Sequence, residues 1–286
     1  MKVAFVVLHY CQVNVTIDCI NSLSRLKGNP QIVVVDNASP DGSGIILKER
    51  YSGSSNVNVI LNDSNLGFAT ANNIGYAYAR KELGADVIAV LNNDTVIEDN
   101  DFIVKLLSSP FVHRYHIIAP DIVNKEGKHQ NPYSLKPKSY DRIIKDYRKL
   151  KLLLSVYSIP VIGDLKAIIA FSHKKLQVVP HEDECEMIVP HGAAIIYSPL
   201  WTEKENFAFF PGTFMYGEEL LLYYYIMCNK YKTIYYKELE IYHLEDVATN
   251  ARFFSKRKKK LFQTKCQLKS YKLLIDYITH NSLFVP

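Results

Sequence analysis

Four short apolar runs open the chain, at 3–10 (VAFVVLHY), 31–39 (QIVVVDNAS), 57–63 (VNVILND) and 87–94 (VIAVLNND), and each closes on polar side chains. Runs of this length, rich in β-branched residues, read as strands covered on both faces. Helix-length segments lie between them. In 14–28, Ile17, Ile20, Leu23 and Leu26 recur at every third position and Gly28 supplies a stop, while 68–84 is rich in alanine and ends on Gly84. Strands alternating with helices predict βαβ units and an α/β fold with a mostly parallel sheet, whose polar loops share one edge.

Beyond about residue 120 the pattern weakens. Residues 125–142 read as a polar loop, 141–155 as a basic helix, and 156–185 give no clear element, so 125–185 is set apart as an insertion. Order returns at 187–199 (MIVPHGAAIIYSP), a strand with a small-residue kink, followed by a helix over 217–231 that opens on two acids and a strand at KTIYY. No internal repeat or low-complexity segment interrupts the chain.

Composition narrows the class. With 286 residues and 48% apolar content, the chain can bury a full core in one large α/β domain or slightly more. No apolar run reaches the roughly 18 residues that span a bilayer, and the opening run soon meets His9, Gln12 and Asn14, which reads as a first strand and not a signal peptide. Five scattered cysteines without a C-x-x-C pair suit a reducing compartment, and 181–191 (HEDECEMIVPH) lacks the spacing of a structural zinc site. The net charge of +5 is uneven: residues 250–286 hold nine Lys or Arg against the single acid Asp276. That tail mixes its basic cluster with Phe253, Phe254, Leu261, Phe262, Leu268 and Leu273–Ile275, a pattern that fits either a helix on an anionic membrane surface or a helix packed on the body. Nucleic acid is not expected, because the basic stretch is terminal and the body carries no recognisable nucleic-acid module.

The polar strand ends carry the chemistry. Brought to one edge, His9–Tyr10, DNASPDGS at 36–43, NDSNLGFATANNIG at 62–75 and NNDT at 92–95 offer carboxylates and amides for a ribose and base, hydroxyls and backbone N–H groups for phosphate, and a carboxylate for a divalent ion. Each also has a plainer use: DNASPDGS as a turn, NND and Asp36 as helix caps. A hard cation takes oxygen ligands and keeps one or two protein carboxylates beside substrate phosphates, a role that suits Asp94.

In order, VVVDNASPDGS, NLGFATANNIG, VLNND, HGAAIIYSP and TFMYGEEL closely resemble the family 2 glycosyltransferases of GT-A fold, of the bacterial type that builds capsular or lipopolysaccharide glycans, over about 3–246. The resemblance implies an inverting transfer of a sugar from a nucleoside-diphosphate donor, UDP- or dTDP-linked, to a growing glycan on a lipid carrier, with Mn²⁺ or Mg²⁺ as cofactor. It places Asp36 on the base of the nucleotide, with His9, Tyr10 and Asn37 lining the same pocket, and Asn65, Gly67 and Asn72 along the nucleotide. Asn92, Asn93 and Asp94 occupy the family's metal-binding D-x-D position. The first aspartate there is Asn92, which leaves Asp94 as the single carboxylate. The GEEL segment resembles the motif that supplies the catalytic base, with Glu219 at the aspartate position and Glu218 in contention. His243 resembles a histidine that helps bind metal or diphosphate. His191, Gly192 and Ala193 fit beside the donor or acceptor sugar, where tight backbone packing accounts for the small residues equally well.

The implied organisation is a glycosyltransferase domain over 1–246 and a basic amphipathic helical tail over 247–286. Within the domain, 1–124 form the nucleotide-sugar half, 125–185 an acceptor-side insertion and 186–246 the catalytic half. The implied location is cytoplasmic, peripheral on the inner face of the plasma membrane. Two rivals share the plan: a non-catalytic nucleotide- or glycan-binding relative, against which the acids at 218 and 219 argue, and a sugar nucleotidyltransferase, whose Gly-rich basic phosphate loop is missing from HYCQVNVT.

Overall fold

In the computed structural model, residues 1–135, 138–172, 185–244 and 255–281 are described, 168–172 by backbone alone. Residues 136–137, 173–184, 245–254 and 282–286 lie outside them, and with them His181–Glu184 of the segment weighed for zinc and the start of the tail, including Phe253 and Phe254.

The N-terminal half follows the hydrophobic pattern. Strands β1 (Val3–His9), β2 (Gln31–Asp36), β3 (Val57–Leu61) and β4 (Val87–Asn92) alternate with helices α1 (Val13–Ser24), α2 (Ser43–Arg50) and α3 (Phe68–Lys81). All their pairings are parallel, in the order β3-β2-β1-β4. Period-two alternation explains why β1 reads as one apolar run: Val3, Phe5 and Val7 face a core shared with α1, while Ala4 and Val6 face a second core shared with α3. Helix α3 lies so close that a Cβ at Gly75 would collide with Val6 and Val35.

Beyond β4 the sheet becomes mixed. The chain adds β5 (Thr95–Val96), α4 (Phe102–Ser108), β6 (Ile117–Asn124), β7 (Ala194–Tyr197), α7 (Pro199–Thr202), α8 (Glu218–Cys228) and β8 (Thr233–His243), and the eight strands run β3-β2-β1-β4-β7-β6-β8-β5. Strand β7 pairs antiparallel with β4, so residues 191–193, which precede it, come to the carboxyl end of β4. Strand β8 pairs antiparallel with β5, placing His243 opposite Thr95. These two reversals position the site.

The insertion holds two helices, α5 (Tyr140–Ser158) and α6 (Pro160–Ser172). The last helix, α9 (Lys256–His280), packs on both and on α8. Its Leu274 and Ile278 join Ile143 of α5 and Leu221 and Tyr224 of α8 in a separate buried cluster. Of the apolar stripe read in the sequence, Leu274 is thus buried, Leu273 and Ile275 pack against the same cluster, and Phe253 and Phe254 lie outside the described residues.

Candidate functional site

The carboxyl end of β2 builds one part of the site. Asp36 is buried, and its carboxylate accepts hydrogen bonds from the Ser39 backbone at 3.3 Å and the Ser39 hydroxyl at 2.5 Å. Gly44, in the first turn of α2, leaves the room: a Cβ there would overlap the Asp36 carboxylate. Asn37 ties this strand end to the loop before α3. Its amide nitrogen donates to the Asn65 side chain and to the Gly67 carbonyl, both at 3.2 Å, while its oxygen accepts from the Leu66 N–H at 2.9 Å. Gly67 adopts φ +82° against the Phe214 carbonyl, which also accepts from the Phe68 N–H at 2.6 Å, so this loop touches the segment leading into α8.

Three expected residues stand behind this surface. His9 is completely buried, with Nδ1 at 2.6 Å from the Thr16 hydroxyl and Nε2 at 2.8 Å from the Ser43 hydroxyl, so both nitrogens are already engaged. Burial pulls its pKa below the ordinary value despite Asp36 and Asp41. Asn72 lies fully buried in the first turn of α3, donating to the Phe68 carbonyl at 3.0 Å. Asn93 turns inward and donates to Thr16 at 2.9 Å. Tyr10 is half-buried beside the group.

The second part forms where β4, β5 and β8 meet. His243 Nε2 stands 3.3 Å from Asp94 Oδ1, and His243 Nδ1 is 2.7 Å from the Gln130 side-chain oxygen. With Nδ1 held by that oxygen, the His243 Nε2 and the Asp94 carboxylate converge on one point. Such a carboxylate–imidazole pair, with its second nitrogen held, fits a divalent cation that takes its remaining ligands from phosphate and water. Among the described residues no group of three or more His, Cys, Asp or Glu forms a complete cage. The His191 ring lies 5.8 Å from that of His243. Its Nδ1 accepts the Ala193 N–H at 3.1 Å, and burial, then the neighbouring His243, lowers its pKa to about 3, so the ring is neutral.

The third part is the start of α8. Glu219 reaches over Gly192 so closely that a Cβ there would lie 2.6 Å from Glu219 Oε1. Burial raises the Glu219 pKa, opposed by backbone N–H groups that include that of Gly192. Glu218 is the more buried of the two, with Oε1 lacking a hydrogen-bond partner; burial first, then the charge of Glu219, raises its pKa to about 8. Both acids, Asn92 and residues 191–193 line one cavity of about 380 Å³. The Asn92 N–H donates to the Ala193 carbonyl at 2.9 Å, joining the strand end to the cavity floor.

The far wall escaped the sequence reading. Tyr133 and Lys138 of the insertion and Gln267 and Tyr271 of α9 line the same cavity. Lys138 Nζ donates to Asp146 at 2.7 Å and to the Tyr271 hydroxyl at 2.6 Å, tying insertion to C-terminal helix. Their residue types signal nothing by themselves; only the contact between two distant segments gives them a shared place.

Residues 5–164 match the family model described as Glycosyl transferase family 2, and the chain belongs to that family. No curated protein matches it by sequence. Among solved structures it is similar to S. aureus TarS 1–349 in complex with UDP, at 14% identity and TM-score 0.54, over 85% of this chain and 60% of that one. It is similar also to the mannosyltransferase PcManGT from Pyrobaculum calidifontis in complex with GDP-Man and Mn²⁺, at 12% identity and TM-score 0.52, over 98% and 73% of the two chains. The fold is that of GT-A glycosyltransferases. The chain spans about three-fifths of the TarS structure it matches.

Proposed function

We propose that this chain transfers a sugar, with inversion, from a nucleoside-diphosphate donor to a hydroxyl of a surface-polysaccharide glycan carried on a lipid, at the cytoplasmic face of the membrane. The observation that carries the reading is the turn 191–193. It has the Asp94–His243 pair on one side, through the His191 ring, and the Glu219 carboxylate on the other, over Gly192.

In this reading the nucleotide lies along Asp36, Asn37 and the 65–67 loop, with its diphosphate toward Asp94 and His243. A divalent cation held by those two residues supplies charge stabilisation to the departing diphosphate. The acceptor hydroxyl enters from the Tyr133 and Tyr271 side and Glu219 takes its proton as the new glycosidic bond forms. The bond from the anomeric carbon to the diphosphate oxygen breaks, and its electron pair leaves with the nucleotide. Neutral His191 and the small residues 192 and 193 leave room for the sugar.

The test is a thermal-shift panel with UDP, dTDP, GDP and CMP, each with and without Mn²⁺, followed by release of nucleotide from the matching sugar donors. A ligand present at 100 times its Kd adds roughly 2.7 kcal/mol to a folded state it alone recognises. Mn²⁺-dependent stabilisation by one diphosphate is expected. Folded protein that responds to none of the four overturns the donor-site assignment.

A further inference from the structure

Among the described residues, no helix is long and apolar enough to cross a membrane. Yet the α5–α6 hairpin is built against the rule for a helix pair covering a water-soluble body. Two small residues of α6 face inward. Gly163 presses on Tyr157 and Arg257, and Ala167 is fully buried. Large aliphatic residues toward its tip face outward, although Ile143 at the far end of α5 is buried: Leu152 is 67% exposed, Val161 73% and Leu165 60%, with Ile159 and Ile162 about half exposed. A contiguous apolar patch of this kind marks a surface that meets something other than water.

Charge around the patch selects the occupant. Lys145, Arg148 and Lys149 are exposed on α5 at helical spacing from Leu152, so one stripe runs from basic to apolar toward the hairpin tip. Lys166 is exposed next to Leu165 on α6. Between residues 147 and 167 the only acid is Asp164, and Arg257 neutralises it, with Nε at 3.2 Å from the carboxylate and Nη1 donating to the Tyr157 carbonyl at 3.2 Å. That contact also brings the basic start of α9, with exposed Lys256 and Lys258, alongside the hairpin. An apolar tip with a basic collar matches the layers of an anionic bilayer surface, acyl chains beneath negative headgroups.

We propose that the α5–α6 hairpin docks the protein on an anionic lipid bilayer, Leu152, Val161 and Leu165 entering the headgroup boundary and Lys145, Arg148, Lys149 and Lys166 resting on the phosphates. This names a different surface from the one read in the sequence, where the stripe of the C-terminal helix was the candidate. A carrier-lipid acceptor gives the contact its use, but the binding rests on the hairpin and is measured without any transfer reaction.

The experiment is co-sedimentation of the full chain with large vesicles of phosphatidylcholine alone and of phosphatidylcholine with one-third phosphatidylglycerol. The intact protein is expected to partition at least about tenfold more strongly to the anionic vesicles. A Val161→Asp, Leu165→Asp variant should lose binding to both, and a Lys145→Glu, Lys149→Glu variant should lose the preference for anionic lipid. Each variant's midpoint of thermal unfolding, measured alongside, establishes that it is folded. Absence of vesicle binding by the intact protein overturns the proposal, as does undiminished binding by a folded hairpin variant. Sedimentation equilibrium supplies the other arm: a dimer that Val161→Asp converts to monomer assigns the patch to a second copy of the chain and overturns the lipid assignment.

Discussion

Glu219 and Gly192 are in a contact that only glycine permits, with the carboxylate oxygen 2.6 Å from where the next larger side chain would place its first carbon. The glutamate is a flexible arm and the glycine belongs to the turn before β7, so a methyl group displaces the carboxylate and leaves the backbone in place. Gly192→Ala is therefore expected to lower turnover by about 10²-fold, the scale of an ångström-sized misplacement of a reacting group. Its unfolding midpoint and its response to nucleotide should stay near those of the parent. A fall in turnover accompanied by loss of nucleotide binding would refute the local reading.

The two adjacent glutamates separate by measurement. Removing a general base costs about 10²–10⁴ in rate, so Glu219→Gln should fall in that range, whereas Glu218→Gln should retain substantial turnover. Turnover kept by Glu219→Gln and lost by Glu218→Gln would move the base to Glu218.

Glu218→Gln also has a signature in stability. Burial raises the Glu218 pKa to about 8 from an ordinary 4.5, so the folded state holds a proton that the unfolded chain releases. Stability from this group is complete below pH 4.5 and is lost as the pH rises to about 8. The uncharged variant escapes that loss. Its unfolding midpoint should exceed the parent's by a margin that widens from pH 5 to pH 8, and a margin constant with pH would contradict the assignment.

Asp94→Ala removes the only carboxylate from the pair with His243. The variant should keep its fold, lose Mn²⁺-dependent stabilisation by nucleoside diphosphate and lose transfer. Full activity with Mn²⁺ would take the cation away from Asp94.

Asn37 anchors the 65–67 loop through one side chain. Asn37→Ala leaves the part-buried Leu66 N–H without its acceptor, at a cost of about 1 kcal/mol, and frees the 65–67 loop. Both a lowered unfolding midpoint and weaker nucleotide binding are expected; weaker binding alone would mean that the loop holds its shape by other means.

Strands β1, β2 and β4 were legible because each alternates between two apolar cores and therefore appears as a greasy run, and the edge strand β3 kept enough of that pattern despite Asn58. Strand β6 was missed although it is buried throughout, since Pro120 and Asp121 break its pattern where the register with β8 shifts. Helix α2 hid in SGIILKER, whose Ile45 and Ile46 face water. The motifs marked Asp94, His243 and Glu219, but chain order could not tell that His9 and Asn93 turn inward: that follows from where α1 brings Thr16. Nor could it show Tyr133 and Tyr271 facing one cavity, which depends on α9 folding back over α5.

The two-residue strand β5 is a small feature, but its partner β8 is the last in chain order among the described strands. A growing chain that has reached β5 already carries Asp94, yet that carboxylate faces no imidazole until β8 arrives with His243. Under the proposed function, a chain stopped short of β8 would lack one of the two residues assigned to the cation.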